Sequence, residues 1–266
     1  MTTIHTRPDT RGPLAAAAEG RLQVHYQPIV DASTRRPCGL EALLRWADEA
    51  GCLRPASEFI EQLERHPDAP ALTRWVMTEA CRTISGLGQD VGVSVNLPPD
   101  RLRDPALAGE VFAVLEQTGL DPARLTIEVV ERAPMDAPGA TRNLRLLRSL
   151  GTTIALDDFL VQYSSLGLLH TIPADAVKLD KSFVAPLNEG ASSPLAEAVV
   201  HVARHLGLDV VAEGVETNEG SLAAQALGCR RLQGYLFGPA VSAEDLPRVL
   251  QELEERDPIR GARSPG

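Results

Sequence analysis

Short apolar runs alternate with longer amphipathic segments along almost the whole chain, and this alternation restricts the fold more than any other feature. Runs of roughly four to eight apolar residues are typical of buried strands, whereas apolar residues spaced three and four apart indicate helices. The strand-like runs are Leu22–Val30, Gly39–Trp46, Val91–Asn96, Arg124–Val130, Thr152–Asp157, Ala176–Asp180, Leu208–Glu213 and Arg230–Tyr235. The helical patterns are Ala56–Gln62, Ala71–Gly86, Pro105–Thr118, Pro138–Leu150, a short stretch near Ser164–His170, Pro194–Leu206, Asn218–Leu227 and Ala243–Leu253.

The spacing of these runs predicts a closed barrel. Only Asp31–Pro37 separates the first two strands, which is too short for a crossover helix, so this pair should be antiparallel. The later strands are each followed by a helix, which favours parallel pairing, and 266 residues suit a barrel of roughly 250 residues. We therefore predict an α/β protein, an irregular (β/α)8 TIM-type barrel with an antiparallel first strand. An open doubly wound sheet is the alternative, although no Gly-rich phosphate loop follows the first strands.

The barrel is expected to cover residues 21–253, between a flexible N-terminal tail at 1–20 and a flexible C-terminal tail at 254–266. Met1–Pro13 is rich in Thr, Arg and Pro, and Glu254–Gly266 mixes charged residues with Pro and Gly. Such compositions are typical of loosely ordered chain ends.

Charge, cysteine content and hydropathy restrict the class of function. A net charge of −10 disfavours non-specific binding of nucleic acid, which is itself a polyanion. The four cysteines form no Cys-x-x-Cys pair, so neither a zinc site nor a disulfide framework is expected. No run approaches the ~20 apolar residues of a membrane span, and the N-terminus lacks a signal-peptide core. We therefore predict a cytoplasmic protein that does not contact the membrane.

Polar and charged residues recur where the predicted strands end, which is where barrels of this kind carry their catalytic groups. In chain order these residues are Glu41 and Arg45, Asn96, Glu128 and Glu131, Asp157 and Asp158, Lys178 and Asp180, Glu213 and Glu216, and Gln233. Taken singly, several have ordinary explanations. Asp158 and Glu216 can be helix N-caps, Lys178 can extend its ammonium from an apolar run to solvent, and Asn96 can form a turn.

The repetition of these residues beside Val, Ile and Leu runs is not explained in that way. Buried carboxylates are costly unless they are paired, so several converging ones call for cations. Oxygen ligands from Glu, Asp and Asn favour Mg²⁺, Mn²⁺ or Ca²⁺ over Zn²⁺. A bridging Asp could hold two ions about 3.5–4 Å apart, a spacing that is used to cleave phosphodiesters. The strand ends therefore predict a divalent metal site for a phosphodiester.

Eight short strings at these positions resemble the motifs of the EAL domains, the phosphodiesterases of cyclic di-GMP. In order they are Tyr26-Gln27-Pro28-Ile29, Glu41-Ala42-Leu43-Leu44-Arg45-Trp46, Ser94-Val95-Asn96-Leu97, Thr126-Ile127-Glu128, Leu156-Asp157-Asp158-Phe159, Lys178-Leu179-Asp180, Ala212-Glu213-Gly214-Val215-Glu216-Thr217 and Gln233-Gly234-Tyr235-Leu236-Phe237. Each string is weak by itself. The ordered set is specific because it covers about Leu22 to Leu253.

The resemblance implies an irregular barrel with an antiparallel first strand and a reaction that opens one phosphodiester of cyclic di-GMP to give linear pGpG. It implies a two-metal site for Mg²⁺ or Mn²⁺, whose ligands match Glu41, Asn96, Glu128, Asp157 and Asp158. The catalytic positions that orient or deprotonate the attacking water match Glu213 and Lys178, and the substrate contacts match Gln27, Arg45 and Gln233. It also implies a homodimer, and a regulatory protein partner is a further expectation.

The segment after Asp157-Asp158-Phe159 departs from the family pattern. Family members continue Gly-Thr-Gly-Tyr-Ser-Ser-Leu, whereas this chain has Leu160-Val161-Gln162-Tyr163-Ser164-Ser165-Leu166. Glycine supplies backbone conformations that are closed to branched residues, so we expect this loop to take a different path. In the family the loop helps to hold the second metal, and the residue that anchors it matches Glu131, which is present here.

Functions of different classes follow from these observations. The full set of ligand-like residues favours an active, metal-dependent cyclic di-GMP phosphodiesterase. The altered loop favours a catalytically weak or inactive domain that acts as a cyclic di-GMP receptor or a protein-interaction module. The remaining alternative is an unrelated metal-dependent hydrolase on the same barrel, or a hydrolase of another nucleotide.

Overall fold

Nine strands form one sheet in the computed structural model, which describes residues 13–48, 50–130, 138–157 and 172–255. They are β1 (Leu22–Asp31), β2 (Pro37–Ala47), β3 (Leu53–Pro55), β4 (Gly92–Leu97), β5 (Leu125–Val130), β6 (Thr153–Asp157), β7 (Ala176–Leu179), β8 (Asp209–Ala212) and β9 (Arg231–Gln233). The order β1-β9-β8-β7-β6-β5-β4-β2 closes on itself because β1 also pairs with β2. The short β3 extends the sheet beside the end of β2, where Pro55 lies opposite Arg45.

The first strand is antiparallel to both of its neighbours, as the sequence predicts. On one side Gln27 lies opposite Glu41 of β2, and on the other Ile29 lies opposite Gln233 of β9. The turn between β1 and β2 is stabilised by the Asp31 carboxylate, which accepts hydrogen bonds from the following backbone N–H groups. The pairs from β2–β4 to β8–β9 are parallel. The predicted irregular (β/α)8 barrel is therefore confirmed.

Nine α-helices are present in the part of the chain that the structure describes. They are α1 (Pro13–Ala18), α2 (Ile60–Glu64), α3 (Ala69–Gly86), α4 (Leu107–Thr118), α5 (Pro138–Ser149), α6 (Lys181–Asn188), α7 (Pro194–His205), α8 (Asn218–Leu227) and α9 (Leu246–Glu255). Local sequence sets several of their ends. Thr217 caps the start of α8 through its hydroxyl, and Gly119 ends α4 in a left-handed conformation that glycine adopts without strain. None of the described helices is long and apolar enough to cross a membrane.

The core lies both inside the barrel and between the barrel and its helices. In β5, Leu125, Ile127 and Val129 are fully buried, and Leu144 and Leu147 of α5 are buried in the same cluster. Strands that are buried on both faces need apolar residues at successive positions, which is why they read as short apolar runs in the sequence. The rim of the barrel is therefore a place where any charged side chain must find a partner.

Part of the segment that was expected to be an N-terminal tail is helical. The tail was expected to run to residue 20, but Pro13–Ala18 forms α1, and Ala16 is fully buried in a small cluster with Leu22 and Leu72. The Ala-rich composition of this segment favours a helix, and its small side chains allow close packing on the barrel. At the other end α9 continues to Glu255, two residues beyond the expected limit. Residues 1–12 and 256–266 lie outside the described part of the chain.

Besides α1, a strand and a helix were not predicted. The strand β3 has only three residues, all exposed, and therefore lacks an apolar run. The helix α6 follows β7 directly and begins after Asp180, whose carboxylate accepts a hydrogen bond from Ser182 N. Pro186 lies within α6, and a proline inside a short segment normally argues against a helix. The short helix expected near Ser164–His170 lies outside the described residues.

Candidate active site

The parallel strands bring their carboxyl ends to one rim of the barrel, and most of the predicted site residues meet there. The register places Asn96 of β4 opposite Glu128 of β5, and Asp157 of β6 opposite Val130. Residues from seven strands and one loop contribute. They are Gln27, Glu41, Asn96, Glu128, Asp157, Lys178, Glu213 and Gln233.

The ammonium group of Lys178 lies among four carboxylates. We call Lys178, together with Glu41, Glu128, Asp157 and Glu213, the Lys178 cluster. Lys178 Nζ is 2.6 Å from Glu213 Oε1, 2.8 Å from Glu128 Oε2, 3.3 Å from Glu41 Oε1 and 3.7 Å from Asp157 Oδ1. Because Lys178 is only 1% exposed, these carboxylates replace the water that would otherwise solvate its charge.

Three amide side chains surround Glu41, and two of them hold its carboxylate. Asn96 Nδ2 donates to Glu41 Oε1 at 2.9 Å, and Gln233 Nε2 donates to Glu41 Oε2 at 2.6 Å. Gln233 Nε2 also lies 3.1 Å from Gln27 Oε1, and Gln27 Nε2 donates to the Gly238 carbonyl at 3.2 Å. Gln27 and Gln233, which the sequence assigned to substrate contact, are thus first of all parts of the network that orients Glu41.

The carboxyl groups of the Lys178 cluster have different proton affinities. Burial raises the pKa of Glu213 to about 7 and raises that of Glu128 well above its ordinary value, although Lys178 opposes both shifts. Burial acts on Glu41 as well, but the Lys178 ammonium and the hydrogen bonds from Gln233 and Asn96 leave its pKa below the ordinary value. Glu41 is therefore ionised at neutral pH, whereas Glu213 can accept or release a proton there.

The same charges keep Lys178 protonated. Burial would lower the pKa of the ammonium, but the surrounding carboxylates, Glu128 and Glu213 above all, raise it well above its ordinary value. A group held in this state is a fixed cation at neutral pH and cannot accept a proton. A protonated Lys178 is suited to orient a neighbouring group, which is one of the two roles that the resemblance implied for it.

The donors at this rim are suited to a hard divalent cation. Glu41, Glu128 and Asp157 offer carboxylate oxygens, and Asn96, which donates through Nδ2, keeps its Oδ1 as an acceptor. If all are ionised, the four carboxylates of the cluster exceed the one ammonium by three negative charges, which also favours a cation. Among the described residues, no three Asp, Glu, His or Cys side chains already converge as a metal site, since Lys178 Nζ lies between the carboxylates.

A cavity of about 390 Å³ adjoins the cluster between β2 and the helices α2 and α3. Its polar side includes Glu41, Asn96 and Asp157, and its apolar side includes Ile60 and Leu72. Such a cavity can receive a flat apolar or aromatic group while the polar side contacts a charged one. The sequence predicted helices over the residues of this apolar wall from their amphipathic spacing. It did not predict that they line a cavity beside the site.

Arg45 and Tyr235 lie near the rim but outside the network. The guanidinium of half-buried Arg45 donates to the Leu44 carbonyl at 2.9 Å, and burial lowers its pKa, which Glu41 and Tyr235 oppose. Tyr235 is 72% exposed, unusual for a large aromatic residue next to a buried strand. It belongs to the string Gln233–Phe237, but no pattern in the sequence separately indicated a role for it. The predicted metal ligand Asp158, the predicted loop anchor Glu131 and the loop 160–162 lie outside the described residues.

Comparison with known proteins gives a consistent result. The model of the family described as "EAL domain" matches residues 14–240. An uncharacterized signaling protein of Caulobacter vibrioides is 40% identical over 223 residues, which is 83% of this chain and 28% of that protein. The cyclic di-GMP phosphodiesterase NbdA of Pseudomonas aeruginosa is 34% identical over 254 residues, 92% of this chain and 32% of that protein. The chain thus spans less than a third of the length of these two relatives.

Solved structures with the same fold are also found. The PaMucR phosphodiesterase in its complex with c-di-GMP superimposes with a TM-score of 0.80 at 35% identity, covering 88% of this chain and 97% of that one. Because nearly the whole of that chain is matched, the likeness is one of the domain fold and not of a fragment.

The raised pKa of Glu213 predicts a specific pH dependence of stability in chelator-treated protein. A carboxyl group with a raised pKa keeps its proton in the folded protein after the unfolded chain has lost it. Its contribution to the free energy of unfolding therefore falls as pH rises from about 4.5 to about 7. Urea unfolding should show that the free energy of unfolding falls more steeply with pH in wild type than in Glu213→Gln. Over the whole range the two changes in free energy should differ by about 3 kcal/mol.

The matched control is Glu197→Gln, because Glu197 is an exposed residue of α7 that does not belong to the Lys178 cluster. This variant should keep the pH dependence of the wild type. Parallel stability curves for wild type and Glu213→Gln would contradict a Glu213 carboxyl that binds its proton near neutral pH.

Proposed function

The chain belongs to the EAL domain family, and on this premise we propose that it is a metal-dependent phosphodiesterase that hydrolyses cyclic di-GMP to linear pGpG. The observation that carries the proposal is the Lys178 cluster, in which four carboxylates from four strand ends face a single buried ammonium. A purely structural barrel has no need of such a cluster, because buried charge is less favourable than apolar packing at the same place. Its retention fits a function in cation and phosphate chemistry.

The proposed cofactor is Mg²⁺ or Mn²⁺, and EAL phosphodiesterases generally depend on divalent metal ions. The residues proposed to hold it are Glu41, Asn96, Glu128 and Asp157, with Asp158 joining Asp157 at a second ion. When bound there, such ions supply a Lewis acid that makes water more acidic and offsets the charge of the phosphodiester. Gln233 and Asn96 keep the Glu41 carboxylate ionised and fixed in direction, so that the ligand does not need to reorganise.

Glu213 and Lys178 are proposed to act on the attacking water. Glu213 has a pKa of about 7, so near neutral pH it can accept the proton that the water loses when its oxygen attacks phosphorus. Lys178 Nζ lies 2.6 Å from Glu213 Oε1 and orients this carboxylate while remaining protonated. Its positive charge also lies beside the place where negative charge increases during attack.

The substrate contacts of the proposal involve the rim and the adjoining cavity. Cyclic di-GMP carries two phosphodiesters and two flat bases, and the cavity beside Glu41 has an apolar wall that suits a base. Arg45 is proposed to pair with a phosphate through its guanidinium. Gln27 and Gln233 are proposed to contact the substrate as well, in addition to their observed role around Glu41. A homodimer and a regulatory protein partner stay predictions.

The direct test is a hydrolysis assay with purified protein, cyclic di-GMP and either Mg²⁺ or Mn²⁺. Wild type should release linear pGpG, and removal of metal with a chelator should stop the reaction. Glu41→Gln keeps the size of the side chain but removes a charged ligand, so we expect turnover to fall at least about 100-fold. Product formation by wild type at no more than the rate of Glu41→Gln would contradict the proposal.

The second candidate function is a cyclic di-GMP receptor with weak or no turnover, and one observation favours it. Residues 160–162 read Leu-Val-Gln where the family pattern has Gly-Thr-Gly. The stiff β-branched Val161 and the loss of both glycines restrict the backbone of a segment that follows the ligand Asp157 directly. A receptor would keep the first-metal ligands and the substrate contacts while binding the second metal poorly.

Replacing Leu160-Val161-Gln162 by Gly-Thr-Gly separates the two functions. If the altered loop limits turnover, the replacement should raise kcat about tenfold or more, with little change in the Kd for cyclic di-GMP measured by calorimetry in Ca²⁺. A matched change in the same loop, Gln162→Ala alone, should have no such effect, because it restores neither glycine. Equal kcat values for wild type and the triple replacement would remove the loop as an explanation for weak activity.

A further inference from the structure

The segment Glu213–Thr217 connects β8 to α8 and carries the proposed proton acceptor. Two of its residues are bonded to the sheet: Glu213 N donates to the Leu179 carbonyl at 3.0 Å, and Val215 N donates to the Gln233 carbonyl at 3.0 Å. The residue between them, Gly214, has a φ of +68°, and a Cβ added there would lie 2.5 Å from Lys181 Cβ. The segment therefore runs in close contact with the start of α6, in a conformation that favours glycine.

The other end of α6 holds the same segment through one side chain, Asn188. Its Nδ2 donates to the Gly214 carbonyl at 2.8 Å, and its Oδ1 accepts from Glu216 N at 3.0 Å and from Thr217 N at 3.4 Å. The Asn188 backbone carbonyl accepts a further hydrogen bond from the Thr217 hydroxyl at 3.1 Å. One asparagine thus satisfies four polar groups of Gly214, Glu216 and Thr217, on either side of Val215, which is bonded to Gln233 instead.

The fit between α6 and α8 is tight at this point. A Cβ added to Gly220, in the first turn of α8, would lie 2.2 Å from Asn188 Oδ1 and 3.1 Å from Asn188 Cα. The absence of a side chain at Gly220 is what allows the Asn188 amide to reach the segment. Gly220 has no positive φ that would require glycine for backbone reasons, so the close approach of Asn188 is the reason for glycine here.

These contacts link the two residues proposed to act on water. Lys178 lies on β7, which leads through Asp180 into α6, and Glu213 lies at the start of the segment that Asn188 holds. We propose that Asn188 is a positioning residue that sets the location of Glu213 relative to Lys178 Nζ and the reacting phosphodiester. Asn188 is not among the residues proposed to contact the substrate or the metal. The inference rests on the proposed function, because it concerns the geometry of that reaction.

The kinetic test compares Asn188→Ala with wild type in the hydrolysis assay. Without the amide, the segment should move by up to about 1 Å. A displacement of this size at a reacting group can lower the reaction rate about 100-fold. We expect kcat to fall about 10- to 100-fold while KM for cyclic di-GMP stays within about twofold, because Asn188 bonds to Gly214, Glu216 and Thr217 and to none of the proposed substrate contacts. Asn188→Asp keeps the acceptor for Glu216 N and Thr217 N but cannot donate to the Gly214 carbonyl. Its kcat should lie between the values of wild type and Asn188→Ala.

A second variant, Gly220→Ala, disturbs the same Asn188 contact from the side of α8. Alanine is a better helix former than glycine, so Gly220→Ala should stabilise α8 if helix propensity alone matters. If Asn188 positions the segment, the new methyl group displaces its amide, and kcat should fall as in Asn188→Ala. The double variant should then lose no more kcat than either single variant, since both single changes remove the same interaction. The matched controls are Asn218→Ala, an exposed asparagine of α8, and Gly109→Ala, a glycine of α4 with no atom within 4 Å of the added Cβ.

A readout that needs no turnover separates this inference from the proposed function. Hydrogen exchange should show the Glu216 and Thr217 amides exchanging at least about tenfold faster in Asn188→Ala and Gly220→Ala than in wild type and both controls. If wild type makes no pGpG, the proposed function fails, and the exchange rates alone decide whether Asn188 holds the segment. Unchanged exchange, a kcat within twofold of wild type, or a rise in KM that accounts for the whole loss would each overturn the positioning role.

Discussion

A single buried ammonium group, that of Lys178, makes the polar rim of this barrel possible. The strands around it are apolar and closely packed, so carboxylates at their ends would repel one another without a cation between them. Lys178 Nζ lies within 3.7 Å of all four. One ammonium does not balance four carboxylates, and burial, together with repulsion from the neighbouring carboxylates, raises the pKa of Glu128 and Glu213. The same imbalance makes the rim a place where a divalent cation would be stabilised.

The barrel topology explains how so many polar groups reach one point. Parallel strands end at the same rim, and each contributes one or two side chains to it. The antiparallel first strand contributes a further amide side chain, that of Gln27. Gln27 lies opposite Glu41 in the register and accepts a hydrogen bond from Gln233. Residues that are distant in the sequence therefore fix each other in direction. This preorganisation is what electrostatic catalysis requires, since the groups do not have to turn toward the substrate during the reaction.

The sequence predicted the barrel and most of the site because both depend on local patterns. Apolar runs marked the strands, and the residues at their ends, such as Glu41, Glu128 and Asp157, followed from the rule that strand ends meet at a rim. What depended on long-range contact could not be predicted in this way. The protonated state of Lys178 follows from four carboxylates on other strands, and the role of Asn188 follows from a loop 26 to 29 residues away. The helix α6 was missed because Pro186 argues against a helix in a short segment.

The most direct test of the account is calorimetric titration of the protein with Mn²⁺ at pH 6.5, repeated in two buffers with different ionisation enthalpies. Wild type should bind Mn²⁺ and release protons on binding, because the carboxyl groups of Glu128 and Glu213 hold protons that a bound cation replaces. Glu128→Gln should lose at least about tenfold in affinity, while the exposed control Glu197→Gln should bind as wild type does. Binding with no proton release, or with the same affinity in Glu128→Gln, would contradict the claim that the Lys178 cluster is a divalent metal site.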